Sequence, residues 1–143
     1  MKSHMILVVE DDPNDESLTL RALRGLSLPC SVVVARCGGD AMDFLFRRGA
    51  FAHRTSVNPD VVFLDNTLPG LPGNELVRMI REESHLAKVP LVVFSGSSDE
   101  SLIQRCLDAG ANDFREKPVD MDAYLTELRD AAEHWLRAVP ATA

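Results

Sequence analysis

The sequence predicts an α/β domain: a five-stranded parallel sheet that is doubly wound, with helices on both faces. Short apolar runs of strand length alternate along the chain with longer stretches of helical periodicity. Charged or hydroxyl residues follow several of these runs, at the strand ends where open parallel sheets bind ligands. At 143 residues the chain has the size of one domain, predicted to span residues 1–143 with a core of about 5–137 and short flexible termini.

The first two strand-helix units are readily placed. A strand is predicted over about Met5 to Val9, and Pro13 begins the first helix at a first-turn position, with Asp12 as its N-cap. A second strand runs from Ser31 to Ala35, and the helix after it reaches Arg48. These two units place an acidic run directly after the first strand.

The third strand ends at Asp65, after the apolar run Val61 to Leu64. The segment before it, Gly49 to Asn58, is longer than a compact connection needs, so we expect a local embellishment there. The segment after it, Asn66 to Pro72, is rich in proline and glycine. It therefore predicts a loop over the strand ends.

The remaining elements continue the alternation. The sequence predicts a helix over about Gly73 to Glu83, a strand over Pro90 to Ser95, a helix over Asp99 to Ala109, a strand over Asp113 to Arg115 and a helix over about Asp120 to Arg137. Gly110 supplies the stop of the fourth helix. The fifth helix carries an apolar stripe that includes Trp135, which packs either on its own domain or on a second copy of the chain.

Composition excludes several classes of protein. A net charge of -7 with scattered arginines argues against direct nucleic-acid binding. No apolar stretch has the length of a membrane span and the N-terminus lacks a signal-peptide core, so we expect a cytoplasmic protein without membrane contact. The three cysteines lack metal-ligand spacing and are expected to be buried thiols, and the four histidines are expected at the surface.

Polar side chains from four strand ends should meet at one edge of this sheet. Glu10 and Asp11 follow the first strand, Asp65 ends the third, Ser95 ends the fourth and Lys117 follows the fifth. Clustered carboxylates repel one another unless a cation joins them, and hard oxygen ligands suit Mg2+. An ionised aspartate needs no general base, so Asp65 is predicted to receive a phosphoryl group, which Lys117 and Ser95 would contact.

Each of these residues also has a structural interpretation. Asp65 alone could be a turn or cap residue, and the acids after the first strand could favour the positive end of the first helix. The helix dipole explains Asp12 better than it explains Glu10 and Asp11. Phe114 could be a core aromatic, and the sequence does not decide the isomer of the Lys117–Pro118 peptide bond.

The chain resembles the receiver domain of two-component response regulators over essentially its whole length. Thirty residues separate Asp65 from Ser95 and twenty-two separate Ser95 from Lys117, as the resemblance requires. The motifs that carry it are Val8-Val9-Glu10-Asp11-Asp12, Leu64-Asp65-Asn66-Thr67-Leu68-Pro69-Gly70 and Asp108-Ala109-Gly110-Ala111-Asn112-Asp113-Phe114-Arg115-Glu116-Lys117-Pro118. The resemblance implies a flavodoxin-like (βα)5 receiver fold and a signalling phosphoacceptor rather than an enzyme acting on external substrates.

The resemblance also implies a role for each matching residue of the phosphoryl site. Asp65 would accept a phosphoryl group from the phosphohistidine of a sensor histidine kinase in a Mg2+-dependent reaction. Asp11 and Asp65 would bind the metal ion directly, Thr67 through its backbone carbonyl and Glu10 through water. Lys117 would hold the phosphoryl group.

The same resemblance implies a switch. Ser95 would hydrogen-bond the phosphoryl group and draw its loop inward, and Phe114 would then repack, altering the surface of helix four, strand five and helix five. Thr67 and Ser97 would flank the water path and tune self-hydrolysis. Ser95 often is Thr and Gly96 often is Ala in this family, so this chain departs modestly from the common pattern at both positions.

A narrower resemblance is to single-domain regulators that are paired with phytochrome-type histidine kinases. It rests on Asp43-Phe44-Leu45-Phe46-Arg47-Arg48-Gly49, the extended loop to Pro59, Lys117-Pro118-Val119-Asp120 and the terminal Trp135-Leu136. It implies a bacteriophytochrome as the partner kinase, an unknown downstream protein, and a homodimer formed through helix five or the tail.

Two other functions use some of the same residues. A haloacid-dehalogenase-like phosphatase also has an Asp nucleophile and Mg2+, but its Asp-x-Asp motif would need an acid where Thr67 stands. A receiver-like interaction module that never accepts phosphate would be expected to lack part of the set that Asp65, Ser95 and Lys117 complete. The sequence therefore favours the phosphoacceptor.

Overall fold

The computed structural model describes residues 3–54, 58–97 and 99–138. Five strands and five helices alternate in the order β1 His4–Val9, α1 Pro13–Arg24, β2 Cys30–Ala35, α2 Gly38–Phe46, β3 Val61–Asp65, α3 Gly73–Arg81, β4 Leu91–Ser95, α4 Glu100–Ala109, β5 Asp113–Glu116 and α5 Met121–Ala138. Short 3-10 turns add Gly49–Phe51 and Ser84–Leu86. The predicted (βα)5 fold is confirmed.

The strand order places β3 at the centre of the sheet. All pairs are parallel and the order is β2-β1-β3-β4-β5, so β1 and β4 flank β3 on its two sides. The register sets Asp65 opposite Phe94, and Ser95 opposite Glu116. Because every strand runs the same way, the carboxyl ends of β1, β3, β4 and β5 share one edge.

Alternating residues of β1 to β4 enter two separate cores, as the period of two requires. Leu7 and Val9 of β1 pack with α2, α3 and α4 on one face. Ile6 and Val8 pack with α1 and α5 on the other. The central strand is buried along its whole length, which explains why its sequence is a continuous apolar run rather than an alternating one.

Helix α1 begins at Pro13 and helix α4 ends before Gly110, as the sequence predicts. The Asp12 carboxylate accepts a hydrogen bond from the Asn14 backbone N–H at 2.8 Å, and Asp99 accepts one from Ser101 at 3.0 Å. Gly110 ends α4 in the left-handed region, at a φ of 119°. A Cβ at Gly110 would also lie 2.6 Å from Cγ of Arg81, so the position needs glycine for space as well as for conformation.

Some boundaries differ from the sequence prediction. Helix α2 ends at Phe46 rather than Arg48, because Arg47 adopts a left-handed conformation with a φ of 57°. The expected embellishment after it begins with the 3-10 turn Gly49–Phe51, while residues 55–57 lie outside the described residues. Strand β1 begins one residue earlier than predicted, at His4, which pairs with Cys30.

Two expectations from single residues were wrong. His4 lies in β1 and is only 8% exposed, so it is not a surface histidine. The three thiols are free, but only Cys106 is buried, whereas Cys30 is half-buried and Cys37 is exposed. The Cys37 sulfur accepts a hydrogen bond from the Asp40 backbone N–H at 3.4 Å at the start of α2.

None of the helices in the described residues has the length and apolar composition of a membrane span.

Candidate phosphoryl-acceptor site

Asp65 closes the central strand and is 4% exposed. Its Oδ1 accepts hydrogen bonds from the Thr67 backbone N–H at 3.1 Å and from the Thr67 hydroxyl at 3.0 Å. The Lys117 ammonium lies 3.4 Å from the same oxygen. The two hydrogen bonds and the ammonium charge stabilise the ionised carboxylate.

The acids after β1 meet Asp65 at the sheet edge. Glu10, Asp11 and Asp65 each offer one carboxylate oxygen, and these oxygens all lie within 4.8 Å of one another. Glu10 and Asp65 are buried and Asp11 is exposed. The cluster therefore opens to solvent on the Asp11 side, as a site for an ion that keeps some of its water would require.

Lys117 lies between these acids and α1. Its side chain is 13% exposed, and its Nζ donates to Glu10 Oε1 at 3.0 Å and to Asp15 Oδ2 at 2.8 Å. The Lys117 backbone N–H donates to the Ser95 carbonyl at 2.7 Å, which continues the β4–β5 pairing to the base of the side chain. The Lys117–Pro118 peptide bond is trans, since the described residues contain no cis bond.

Ser95 ends β4 beside the site and is 1% exposed. Its Oγ accepts a hydrogen bond from the Ser97 backbone N–H at 3.1 Å, so its hydroxyl hydrogen remains available to a different acceptor. Ser97 is exposed, and its Oγ accepts from the Asp99 backbone N–H at 3.3 Å. A hydroxyl at the sheet edge thus begins the loop that leads into α4.

Phe114 lies on β5, opposite Val93 in the register, and is half-buried against the core under α2, α3 and α4. It is neither fully enclosed nor fully solvated. Trp135 of α5 packs on its own domain, and its Nε1 donates to Asp113 Oδ2 at 3.2 Å. Trp135 is half-buried and makes these contacts within its own domain.

The loop after Asp65 is held close to α3 and α4. A Cβ at Gly73 would lie 2.9 Å from the Asn66 backbone Cα, so glycine allows the first turn of α3 to approach the loop. The Asn66 side-chain oxygen lies 3.7 Å from the Cys106 sulfur of α4. The residue next to Asp65 therefore contacts the helix that follows β4.

Sequence reasoning missed two residues at this site. Asp15, in the first turn of α1, makes the shortest contact to the Lys117 ammonium. Tyr124 of α5 is 4% exposed, and its ring centroid lies 6.0 Å from the same nitrogen. A second acid four residues after Asp11 was the signal for Asp15, but helix-dipole stabilisation already explained an acid in that turn.

Burial and proximity separate the acidities of the two buried carboxyls. Burial raises the pKa of Glu10 to about 8, and its hydrogen bond to Asp65 acts in the same direction. Burial also acts to raise the pKa of Asp65, but the Glu10 hydrogen bond, the Lys117 charge and the Thr67 donors hold it below its ordinary value. Burial thus favours the protonated form of Glu10, while the Thr67 donors and the Lys117 charge favour the ionised form of Asp65.

The chain matches the response regulator receiver domain model over residues 6–129. It is also similar to the two-component response regulator ARR3 of Arabidopsis thaliana, with 33% identity over 137 residues. That match covers 90% of this chain and 58% of the plant protein. The chain thus spans less than two thirds of the length of that relative.

Solved structures of the same kind superpose closely. The phosphorylated cyanobacterial phytochrome response regulator RcpA has a TM-score of 0.90 and 29% identity, covering 99% of both chains. The Mn2+-bound response regulator Rcp1 has a TM-score of 0.88 and 26% identity, covering 98% of this chain and 99% of that one. The bacteriophytochrome response regulator AtBRR has a TM-score of 0.80 and 34% identity, covering 100% of this chain and 99% of that one.

The family match and the strand order of the sheet indicate the same fold. The match begins within β1 and ends halfway along α5, and the acids, hydroxyl and lysine described above lie at one edge of the sheet. The chain belongs to the response regulator receiver domain family, and its structural neighbours include phytochrome-associated response regulators.

Proposed function

We propose that this chain is a signalling phosphoacceptor in which Asp65 receives a phosphoryl group from the phosphohistidine of a sensor histidine kinase in a Mg2+-dependent reaction. One observation carries the proposal: an ionised, buried carboxylate at the end of the central strand lies between a lysine ammonium at 3.4 Å and two further acids. Asp65 forms the new bond to phosphorus as the bond from phosphorus to the kinase histidine breaks.

The donor set fits a magnesium ion. Burial and the repulsion among three carboxylate oxygens within 4.8 Å of one another raise the pKa of Glu10, and a hard divalent cation would relieve that repulsion. Asp11 and Asp65 bind the ion directly in this proposal, Glu10 through water and Thr67 through its backbone carbonyl. The ion supplies neutralisation of charge on the phosphoryl oxygens.

Lys117 and Ser95 hold the transferred group. The ammonium is already beside Asp65 Oδ1, and the Ser95 hydroxyl hydrogen is available at the adjacent strand end. A phosphoryl group on Asp65 adds acceptor oxygens there. Attraction of Ser95 toward these oxygens moves the loop that enters α4, and Ser95 and Phe114 form the switch that alters the α4-β5-α5 surface.

Thr67 and Ser97 set how long the phosphoryl group survives. The Thr67 side chain contacts Asp65, and the exposed Ser97 is bonded through its backbone to Ser95, so both lie beside the route by which water reaches the acyl phosphate.

Residues 1–143 act as a single receiver unit in the cytoplasm. The partner kinase is a bacteriophytochrome, the output is binding to a downstream protein, and α5 or the tail joins two copies.

Phosphorylation by acetyl phosphate with Mg2+ tests this proposal. We expect a mass gain of about 80 Da that hydroxylamine removes and EDTA prevents. Asp65→Asn should abolish it, whereas Asp40→Asn, a charge change at the exposed start of α2, should retain it.

A chain that keeps its unmodified mass would instead be a phosphate-independent interaction module. Repeated turnover of unrelated phosphoesters would indicate a phosphatase. Transfer from an autophosphorylated bacteriophytochrome kinase, compared with transfer from an unrelated histidine kinase, then tests the partner.

A further inference from the structure

Asp15 is the closest carboxylate to the Lys117 ammonium. Its Oδ2 lies 2.8 Å from Nζ, against 3.0 Å for Glu10 and 3.4 Å for Asp65. The two residues are 102 positions apart in the chain, and this contact joins the first turn of α1 to the end of β5. None of the receiver motifs described above includes Asp15.

The helix dipole does not explain where the Asp15 carboxylate points. Glu16, the next residue, also supplies negative charge to the first turn of α1, but it pairs at 2.9 Å with Arg36, whose side chain is 68% exposed. Asp15 instead pairs with Lys117, whose side chain is 13% exposed. The two neighbouring acids thus share a helix terminus but have different partners.

An ammonium group has three N–H donors in tetrahedral directions. Asp15 and Glu10 accept two of them in Lys117, and the ammonium also forms an ion pair with Asp65 Oδ1 at 3.4 Å. A lysine has a long flexible stem, and one carboxylate alone would leave it several orientations. Two acceptors on different elements hold the ammonium beside Asp65.

Buried residues of α1 and α5 surround the contact between Asp15 and Lys117. The Thr19 hydroxyl donates to the Asp15 carbonyl at 2.8 Å, and Thr19 is 2% exposed. The Tyr124 ring, whose centroid lies 6.0 Å from the Lys117 Nζ, closes the side toward α5. Asp15 is therefore held by α1, and its position relative to Lys117 does not depend on a mobile loop.

We propose that Asp15 is a positioning residue that aims the Lys117 ammonium at the phosphoryl site. This inference rests on the proposed function, because it assigns Asp15 a part in phosphoryl transfer to Asp65. Asp15 touches neither the transferred group nor the metal ligands; it acts through Lys117 alone. Loss of its charge leaves the ammonium free to turn toward Glu10 and solvent.

The test compares Asp15→Asn with Glu16→Gln, which removes the neighbouring charge of the same turn. We expect the initial rate of Asp65 phosphorylation by acetyl phosphate to fall about tenfold in Asp15→Asn, because a charged hydrogen bond and the orientation of Lys117 are lost together. Glu16→Gln should keep the wild-type rate. Asp15→Glu retains the charge and should recover part of the loss.

A double variant separates positioning from a structural role. In a Lys117→Ala background, Asp15→Asn should cause no further loss of rate, because the residue on which Asp15 acts is gone. An equal loss with and without Lys117, or a wild-type rate in Asp15→Asn, would overturn the inference while leaving the proposed function intact. Failure of the wild-type chain to gain phosphate at Asp65 would overturn both.

Discussion

Helices α4 and α5 flank the same edge strand but are attached to the domain very differently. Helix α5 buries six residues, and Arg115 of β5 contacts Glu127 at 3.0 Å and Asp130 at 2.7 Å on it. Helix α4 buries only Cys106. Gln104 and Arg105 of α4 bond to side chains of their own helix.

The difference assigns the two helices different parts in a switch. Helix α5 is fixed to β5 by burial and by charge, so it serves as a support. Helix α4 follows the loop that begins at Ser95, and its Cys106 contacts Asn66 beside the phosphoacceptor. An element with few buried apolar contacts can shift at low cost. We therefore expect α4 to carry the response and α5 to hold its position.

Replacement of one leucine in each helix by alanine should give the largest difference in stability between α5 and α4. Leu128→Ala in α5 removes a side chain that is 1% exposed, and the expected loss in the free energy of unfolding is about 3 kcal/mol. Leu107→Ala in α4 removes one that is 40% exposed, for about 0.5 kcal/mol or less. Urea unfolding measures both, and equal losses would contradict the comparison.

Removal of the β5 arginine should come second. Arg115 is 14% exposed and also pairs with Asp113 at 2.9 Å, so Arg115→Ala leaves partly buried carboxylates without their cation and should cost about 2 kcal/mol. Arg105→Ala in α4 removes a contact to Ser101 on the same helix and should change stability little. Thermal melts at one pH compare the pair, and a larger loss from Arg105→Ala would reverse our assignment of the anchored helix.

Hydrogen exchange should resolve the comparison without substitutions. Backbone amides of α4 are expected to exchange about tenfold faster than those of α5, equal to about 1.4 kcal/mol of local opening free energy. Addition of Mg2+ and acetyl phosphate should change the α4 pattern more than the α5 pattern. Peptide-level mass spectrometry measures exchange in both helices, and an effect confined to α5 would show that α5, rather than α4, responds to phosphorylation.

pH should have the smallest effect, and it acts on the Glu10 side of the site rather than on α4. The pKa of Glu10 is raised from 4.5 to about 8 in the folded chain, so the folded state holds a proton that the unfolded state has lost. Its stabilising contribution is full below about pH 4.5 and is lost as pH rises through about 8. Linkage at these two pKa values limits the metal-free loss in stability between pH 6 and pH 9 to about 2.7 kcal/mol, and screening by solvent on the open Asp11 side reduces the expected loss to about 1 kcal/mol.

Mg2+ should oppose that loss, because the ion displaces the proton and binds the ionised carboxylate. Its apparent affinity should therefore increase as pH rises to about 8. Melting temperatures at both pH values, with EDTA or with Mg2+, measure the effect. Glu10→Gln should flatten the metal-free pH profile, and an unchanged slope in that variant would assign the proton to another group.

The sequence was sufficient for the fold and for the residues gathered at the sheet edge. Apolar runs of strand length predict the strands, and parallel pairing then brings Asp65, Ser95 and Lys117 to one edge without knowledge of side-chain positions. The partner of Asp15 could not be predicted in this way. An acid in the first turn of a helix is explained locally, and its contact with Lys117 depends on how α1 packs beside the end of β5.

Other differences have equally specific causes. The end of α2 depends on a non-glycine residue, Arg47, in the left-handed region, which carries no signal in the sequence. His4 is buried because β1 extends by one residue to pair with Cys30, and a single histidine near a terminus does not indicate that pairing. The first is a local turn closed by backbone hydrogen bonds from Arg47 to Phe44 and from Arg48 to Asp43, and the second depends on pairing between strands.

Trp135, whose indole N–H donates a hydrogen bond to Asp113, is an intrinsic fluorescent probe. Trp135 is the one tryptophan in the chain, and it lies on the junction of α5 and β5. Its emission, excited selectively without any attached dye, reports whether that junction loosens. If phosphorylation leaves the Trp135 emission constant but changes the signal of a probe on α4, the response lies in α4 and does not reach the junction of α5 and β5.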